Sequence, residues 1–566
     1  MDPQDTPDAH YNRGNALYAQ RRLAEALASY DRAVAQRPGF ALAWNNRGGV
    51  LRDLGRADDA IASISRAIAI HSGYAQAWFN RATVRGLDRG DYPAAIADVK
   101  QALALDPGMI YAPGLLLHLQ MQACDWRDFD RHVAAVEARM RAGTEAAEPF
   151  VYQAVSCVPA DLFRCAEIHA ASRYPAAGRL WRPRAHDRIR LGYVSGEFRT
   201  QATALLAARL YALHDRARFE VFAFDSGAAD DSPMRAQLEA AFDRWIGIRE
   251  MTDAAAAARI AAEEIDILVN LNGYFGEERM GVFARRPAPL QVNYLGFPGT
   301  LGAPYIDYIV ADAIVIPPGE AAHYAEQVAW LPDSYQVNND RRAVAAEAFS
   351  RADCGLPGSG FVFCNFNNAY KFTPGCFAAW MRILRAAPGS VLWLLEANRH
   401  AAANLRQAAK AQGVAAERLV FAPYLSPERH LARLKLADLC LDSFPYNAHT
   451  TASDSLWAGV PLLTLRGSAF AGRVAESLLR AAGLPELVAP SLGDFEAQAI
   501  ALAGAPQTLK ALREKLAANR VAAPLFDTPR FTRRLEAAYI RMWELHSAGE
   551  TPRSFEIACR GGAPFN

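Results

Sequence analysis

A helix start rich in small polar residues, a lysine just past a strand and a glycine-rich turn are the segments of this 566-residue sequence that offer phosphate chemistry. The stretch Asn447-Ala448-His449-Thr450-Thr451-Ala452-Ser453-Asp454 follows an apolar run and precedes an amphipathic helix ending at Gly459-Val460-Pro461. Thr450 or Thr451 is placed to cap that helix. Its exposed N–H groups and positive dipole end suit a phosphate, and His449 would add a donor. A well-capped helix and nothing more is the other reading. In Asn365-Phe366-Asn367-Asn368-Ala369-Tyr370-Lys371 the lysine sits just beyond a strand end. Facing a cleft it would neutralise a phosphate, while facing water it would be ordinary surface; three asparagines beside it describe a polar binding loop. Gly296-Phe297-Pro298-Gly299-Thr300-Leu301-Gly302 offers backbone N–H groups to an anion or sugar, or is only a tight turn. The D-x-D triplet Asp128-Phe129-Asp130 falls in a helical stretch and not after a strand. No metal-chelated diphosphate is therefore expected, and charge compensation falls to Lys371, His449 and the helix end.

These segments need strands to carry them. From Arg188 onward, short β-branched and aromatic runs alternate with Ala/Leu-rich helical stretches, the mark of parallel α/β architecture. The expected strands are Ile189–Val194, Phe219–Phe224, Ile265–Leu271, Leu290–Tyr294 and Tyr308–Ala311, then Phe361–Cys364, Val391–Leu395, Leu419–Phe421, Leu439–Leu441 and Leu462–Leu465. A polar break at Asn338–Arg342 separates two series, so two doubly wound lobes over 186–340 and 341–547 are expected, with ligands at strand carboxyl ends.

Before the lobes lies a repeat. Asn12, Asn46 and Asn80 are 34 residues apart, as are Arg13, Arg47 and Arg81. Gly14, Gly48 and Ala82 hold the small position, and His10, Trp44 and Trp78 the bulky one. Ala26, Ala60 and Ala95 take the second-helix position, the last displaced by one residue inserted near Asp88–Tyr92. This is the tetratricopeptide period, three units over 9–112, each a helical hairpin that buries its apolar face against the next. Residues 113–185 read as a helical cap and linker, and 548–566 as a tail. The fold class is thus a helical solenoid followed by an α/β region. With 61 basic and 60 acidic residues the net charge is +1, which gives no case for nucleic acid or an anionic membrane. Eight cysteines without a CxxC pair read as buried thiols of a reducing compartment. The start Met1-Asp2-Pro3-Gln4-Asp5 lacks a signal-peptide pattern, and no apolar run is long enough to span a bilayer, so a cytoplasmic location is expected.

Assembled in this order, the chain resembles the protein O-linked N-acetylglucosamine transferase family, in which tetratricopeptides precede a catalytic region of two Rossmann-like lobes, the GT-B fold. The most specific pieces are Arg286-Pro287-Ala288-Pro289, Gly296–Gly302, Cys364–Lys371, Ser390–Leu395, His449–Asp454 and Trp457-Ala458-Gly459. The resemblance implies an inverting transfer, without metal or cofactor, of a sugar from a UDP-sugar to Ser or Thr of a protein. By motif, Asn368 and Lys371 would touch the nucleotide, with Lys371 stabilising the leaving diphosphate. Leu425, Ser426 and Pro427, with His430 and Arg433, would line the uracil and ribose site. His449, Thr450 and Thr451 would hold the phosphates and Asp454 the ribose. With a protein as acceptor, the ladder of Asn12, Asn46 and Asn80 would hold an extended peptide by its backbone; bridging of neighbouring helices is the alternative.

Two departures stand out. After Tyr193-Val194-Ser195-Gly196-Glu197-Phe198-Arg199 the family places a histidine discussed as the catalytic base, and this chain has Gln201. An amide orients a hydroxyl but takes no proton near neutral pH. Deprotonation then belongs to another group, such as a donor phosphate oxygen, or the protein is slow, inactive or altered in donor choice. Pro427 stands where the family has a lysine in the uracil loop. Alongside N-acetylglucosamine transfer, two readings stay open: a dedicated transferase for one acceptor such as flagellin using another nucleotide sugar, and a non-catalytic tetratricopeptide scaffold.

Overall fold

Alanine and glycine at the small positions set the spacing of the N-terminal helices. The computed structural model describes residues 5–558. The chain divides into two compact units, one of residues 5–151 and the other holding nearly all of 152–558. In the first, helices pair as Pro7–Ala19 with Leu23–Gln36, Ala41–Asp53 with Ala57–Ile70, and Ala75–Thr83 with Tyr92–Leu105. Ala26, Ala60 and Ala95 are fully buried where the hairpins close. A Cβ on Gly48 would stand 2.3 Å from the Ile64 side chain, so the helices approach as only glycine allows. The indoles of Trp44 and Trp78 donate to the carbonyls of Pro38 (3.0 Å) and Ser72 (2.9 Å), tying each repeat to the turn before it. The residue inserted in the third repeat is absorbed as a π-turn over Val84–Asp88, ahead of the expected position. Helices Ala112–Gln122 and Phe129–Arg141 continue this unit. The expected cap is therefore split, because Pro159–Arg173 belongs to the second unit, where its backbone packs against Gly302.

The second unit contains two parallel sheets. The first is built of β1 (Ile189–Ser195), β2 (Phe219–Asp225), β3 (Arg244–Gly247), β4 (Ile267–Asn270), β5 (Leu290–Asn293), β6 (Tyr308–Asp312) and β7 (Gln327–Leu331). The second contains β8 (Val362–Asn365), β9 (Val391–Leu395), β10 (Leu419–Ala422), β11 (Leu439–Leu441), β12 (Leu462–Leu465) and β13 (Val488–Ala489). A last strand, β14 (Phe555–Glu556), joins the first sheet beside β7, giving the order β14-β7-β6-β5-β4-β1-β2-β3. The other order is β10-β9-β8-β11-β12-β13. Strands β4, β5, β6 and β8 are buried along their whole length, as parallel strands covered on both faces must be. That burial is why most of their positions are apolar in the sequence, with Asn270, Gln291, Asn293, Asp312 and Asn365 as buried polar exceptions. Strands β3, β7, β13 and β14 were not among the expected ones, being short or mixed in composition.

One element differs from its expected lobe. Helix Thr528–Ser547, assigned by sequence to the second lobe, packs on the first. His214 bridges Glu536 through Nδ1 (3.0 Å) and the Tyr193 hydroxyl through Nε2 (2.9 Å), all buried. The lobes also meet directly: Arg473 forms a two-pronged ion pair with Glu320 (2.7 Å each), and the Ser477 hydroxyl donates to Asp312 (2.7 Å). The glycine-rich loop proves to be a packed turn. The N–H groups of Gly296, Gly299, Leu301 and Gly302 are engaged by protein, Leu301 N donating to Glu326 (2.7 Å) and Gly302 N to the Thr300 hydroxyl (3.0 Å). A Cβ on Gly296 would fall 1.8 Å from the Leu271 carbonyl oxygen, which is backbone and cannot yield. Gly296→Ala is expected to lower stability by about 3 kcal/mol or more, read as a fall in the thermal midpoint. An unchanged midpoint would show that the loop gives way.

Among the described residues, Cys124, Cys165, Cys364, Cys376 and Cys440 are buried thiols, but Cys157 is exposed and Cys354 half-buried. Cys559 lies outside the described residues, as do Met1–Gln4. No described helix is long and apolar enough to cross a membrane.

Candidate active site

The second sheet reverses its strand order between β8 and β11, and the loops leaving the carboxyl ends of these strands form the crevice in which doubly wound sheets bind ligands. From β8, Asn365 is fully buried and donates to the Leu441 carbonyl (2.8 Å), locking the two loops together. Asn367 donates to the Ser443 hydroxyl (3.1 Å) and accepts from Thr451. Asn368 is exposed at the mouth. Lys371 ends a short 3-10 turn, and its ammonium is buried. It donates to the Asn447 carbonyl (2.8 Å) and lies 3.9 Å from the centre of the Tyr446 ring. Among the described residues no carboxylate is within ion-pair reach of it. Burial pushes its pKa down to about 7, against the opposing field of Asp442. Asp442, at the end of β11, accepts from the N–H groups of Ser443 and Ala448 (2.7 Å each) and from the Thr464 hydroxyl (2.6 Å). It thereby fixes the loop that wraps the lysine.

That loop leads into helix Thr450–Ala458, whose N-cap is His449 and not a threonine. No side chain caps this helix start, so its first N–H groups stay available to a ligand. Thr450 and Thr451 stand in the first turn. His449 Nε2 lies 3.0 Å from the Ala471 carbonyl and so carries the hydrogen, while burial holds the ring's pKa far below its ordinary value. A neutral ring with Nε2–H engaged has only a lone pair at Nδ1. His449 therefore shapes the helix start but does not supply the donor expected of it. Asp454 is bound by Arg342 from the inter-lobe linker, an ion pair with both side chains largely buried.

The third wall is helix Pro427–Leu434. Leu425 and Ser426 lead into it, Ser426 at the N-cap and Pro427 at the first position, which needs no N–H. His430 and Arg433 share a face. The His430 ring meets the Phe366 ring at 4.7 Å, and Arg433 lies over Phe366 (5.1 Å) and Trp393 (6.0 Å). Arg433 donates to the Pro423 carbonyl (2.6 Å) and to His430 Nδ1 (3.2 Å), is buried, and has no carboxylate partner among the described residues. Desolvation lowers its pKa to about 10, still charged at neutral pH. Lys371 and Arg433, both buried and without an ion-pair partner among the described residues, and an uncapped helix start all lie beyond the carboxyl ends of this sheet's strands, an arrangement that suits a polyanion.

A model of glycosyl transferase family 41 matches residues 166–347 and 341–535. The chain belongs to glycosyl transferase family 41. A tetratricopeptide model matches residues 11–75 and 50–110. The chain is 36% identical over 466 residues to the probable UDP-N-acetylglucosamine–peptide N-acetylglucosaminyltransferase SEC of Arabidopsis thaliana, covering 78% of this chain and 48% of the relative. It is 28% identical to the UDP-N-acetylglucosamine–peptide N-acetylglucosaminyltransferase of Caenorhabditis elegans, covering 64% of this chain and 41% of that one. It thus spans about half the length of the curated relatives it matches. A mutant O-GlcNAc transferase of Thermobaculum terrenum superposes with a TM-score of 0.72 at 28% identity, covering 97% of this chain and all of that one.

In this family 41 chain, Gln201 is the exposed N-cap of helix Ala202–Leu213, in the loop after β1 at the order reversal of the first sheet. Below it Glu197 is buried and accepts from the Thr203 hydroxyl (2.5 Å), and desolvation raises its pKa. In the helical unit Asn46 and Asn80 are engaged by side chains of their own and the preceding repeat. Asn46 donates to Asn15 (3.0 Å) and Tyr11 (3.2 Å) and accepts from Asn45; Asn80 donates to Asn45 (2.9 Å) and accepts from Gln76. Asn12 is exposed. Both ends of Asn46 and Asn80 are engaged by protein, so a peptide backbone would have to displace those bonds.

A diphosphate beside Lys371 favours its charged form and raises its pKa. Uridine diphosphate binding near pH 8 is therefore expected to take up part of a proton, with affinity falling as pH rises above about 7. Calorimetry in two buffers of different ionisation enthalpy measures this; proton release, or affinity constant across that range, would contradict it.

Proposed function

We propose that this chain is a transferase that moves a sugar from a UDP-sugar to a serine or threonine hydroxyl of a protein, with inversion and without a metal ion. The observation that carries the reading is the buried Lys371 ammonium, unpaired with any described carboxylate, beside an uncapped helix start at the β8/β11 crossover. A leaving diphosphate there would meet the Lys371 amine, charged by the diphosphate beside it, and backbone N–H groups already in place, the preorganised stabilisation that lowers such barriers. Asn368 at the mouth would touch the nucleotide. His430 and Arg433 with Leu425, Ser426 and Pro427 would take the uracil end, and the Asp454 oxygen not held by Arg342 the ribose. The names of the relatives above favour N-acetylglucosamine as the sugar, and the tetratricopeptide array is the surface offered to a protein acceptor. The D-x-D triplet supports the metal-free reading by its position, with Asp128 and Asp130 opening helix Phe129–Arg141 in the helical unit.

Co-expression with candidate acceptor proteins, followed by intact-mass measurement, is expected to show added N-acetylhexosamine on serine or threonine. Transfer in vitro should be unchanged by EDTA. Unmodified acceptors throughout would favour the scaffold reading, and activity lost to EDTA and restored by manganese would overturn the metal-free step.

A further inference from the structure

A second cavity lies at the opposite, amino-terminal ends of the first sheet's strands. It has a volume of about 330 Å³, within the size range of small-molecule sites, and is formed where the extended segment after Gly178 passes the starts of β4 and β5. Two half-buried indoles, Trp181 and Trp543, line it, with His546 set against both rings at 5.7 and 5.3 Å. Trp181 Nε1–H is buried and has no hydrogen-bond acceptor among the described residues. A buried donor without a partner is rare in folded proteins and calls for an acceptor oxygen. The rim holds Arg182 and Arg184 against Glu264 and Asp266, two cations and two carboxylates. Arg184 is paired with Glu264 (2.9 Å) and Asp266 with His186 (3.1 Å), while Arg182 is exposed and carries no ion pair among the described residues.

We propose that this cavity binds a neutral saccharide, a pyranose unit that is free or attached to a protein. Each feature asks for the same ligand. Indole walls take a ring with an apolar face. The orphaned Trp181 N–H and the free guanidinium of Arg182 take hydroxyl or acetamido oxygens, while the rim carboxylates accept from hydroxyls. The lining carries charges of both signs, two of each, with Arg179 stacked on the Trp181 ring (4.6 Å), so hydroxyl and carbonyl oxygens find donors and acceptors together. The cavity is set at the strand ends opposite to those that carry the loops after β1 and β4, so it is separate from the Lys371 crevice, and it goes beyond the donor site proposed above.

Saturation-transfer NMR on the full chain, with the Lys371 crevice filled by excess UDP, tests this. N-acetylglucosamine, a serine peptide bearing one N-acetylglucosamine, and the bare peptide are the probes. Transfer to sugar protons is expected to persist with UDP present and to be lost in Trp543→Ala, and Arg182→Ala should weaken binding at least about threefold, the loss of a single hydrogen bond. Arg182 is exposed, so that variant carries the test if Trp543→Ala fails to fold. Signal from the monosaccharide and glycopeptide alike supports a site for either source, and signal from the glycopeptide alone assigns it to attached sugar. The bare peptide gives the background from peptide protons; abolition of the sugar-proton signal by UDP, no signal from either sugar, or no change in both variants would each overturn the proposal.

Discussion

Lys371→Met is expected to weaken UDP binding about 10- to 100-fold, because a charge-assisted contact contributes about 1.5–3 kcal/mol and each 1.4 kcal/mol is about tenfold. Methionine keeps the length of the side chain and its packing on Tyr446, so the β8 and β11 loops should hold their positions. The proton uptake on binding near pH 8 should vanish in the same variant, since the group that titrates is gone. Transfer should fall further than binding, because charge grows on the diphosphate as the glycosidic bond breaks and the ammonium interacts most strongly at that point. Calorimetry gives the first quantity and initial rates at saturating donor the second. Affinity within about twofold of wild type would remove Lys371 from the site, a twofold change being too small for a lost charge-assisted bond.

Gln201→His is expected to raise the rate of transfer to a serine or threonine acceptor, by about 100-fold if the missing base limits turnover, the low end of what general base catalysis contributes. Position 201 favours the change. It is exposed, its backbone is extended, and it heads helix Ala202–Leu213, so an imidazole enters without crowding. The positive end of the helix disfavours the imidazolium and keeps the ring neutral, the form that accepts a proton. UDP affinity should not move, because the substitution lies on the first lobe and the diphosphate contacts on the second. A rate unchanged or lowered by histidine would mean that another group takes the hydroxyl proton, and the amide of Gln201 would then be an orienting group or a bystander.

The donor-site reading shows why some residues were legible in the sequence and others were not. The places of Lys371, Thr450 and Thr451 beyond strand ends of the second sheet were legible because a lysine or a small polar run directly after an apolar strand is a local signal, and local signals survive folding when the strand is central. Asp442 was missed although it too follows a strand directly, since nothing in the chain announces that its carboxylate will take two N–H groups and a hydroxyl from β12. Arg342 was passed over as linker, and only the return of that linker across the second lobe brings it to Asp454.

By itself the sequence determined the 34-residue helical repeat, the two series of parallel strands and the order of the polar motifs that follow them. Each is written in short-range periodicity or in burial of whole strands, which one stretch of chain can encode. Tertiary structure alone decided that the glycine-rich loop spends its N–H groups on its own turn and on Glu326, that His449 gives its hydrogen to Ala471, and that the asparagine ladder is bonded across repeats. It also decided that helix Thr528–Ser547 closes onto the first sheet through Glu536 and His214. Those outcomes depend on which donor meets which acceptor across gaps of tens to hundreds of residues, and hydrogen-bond satisfaction at that range is fixed only when the sheets and helices have packed.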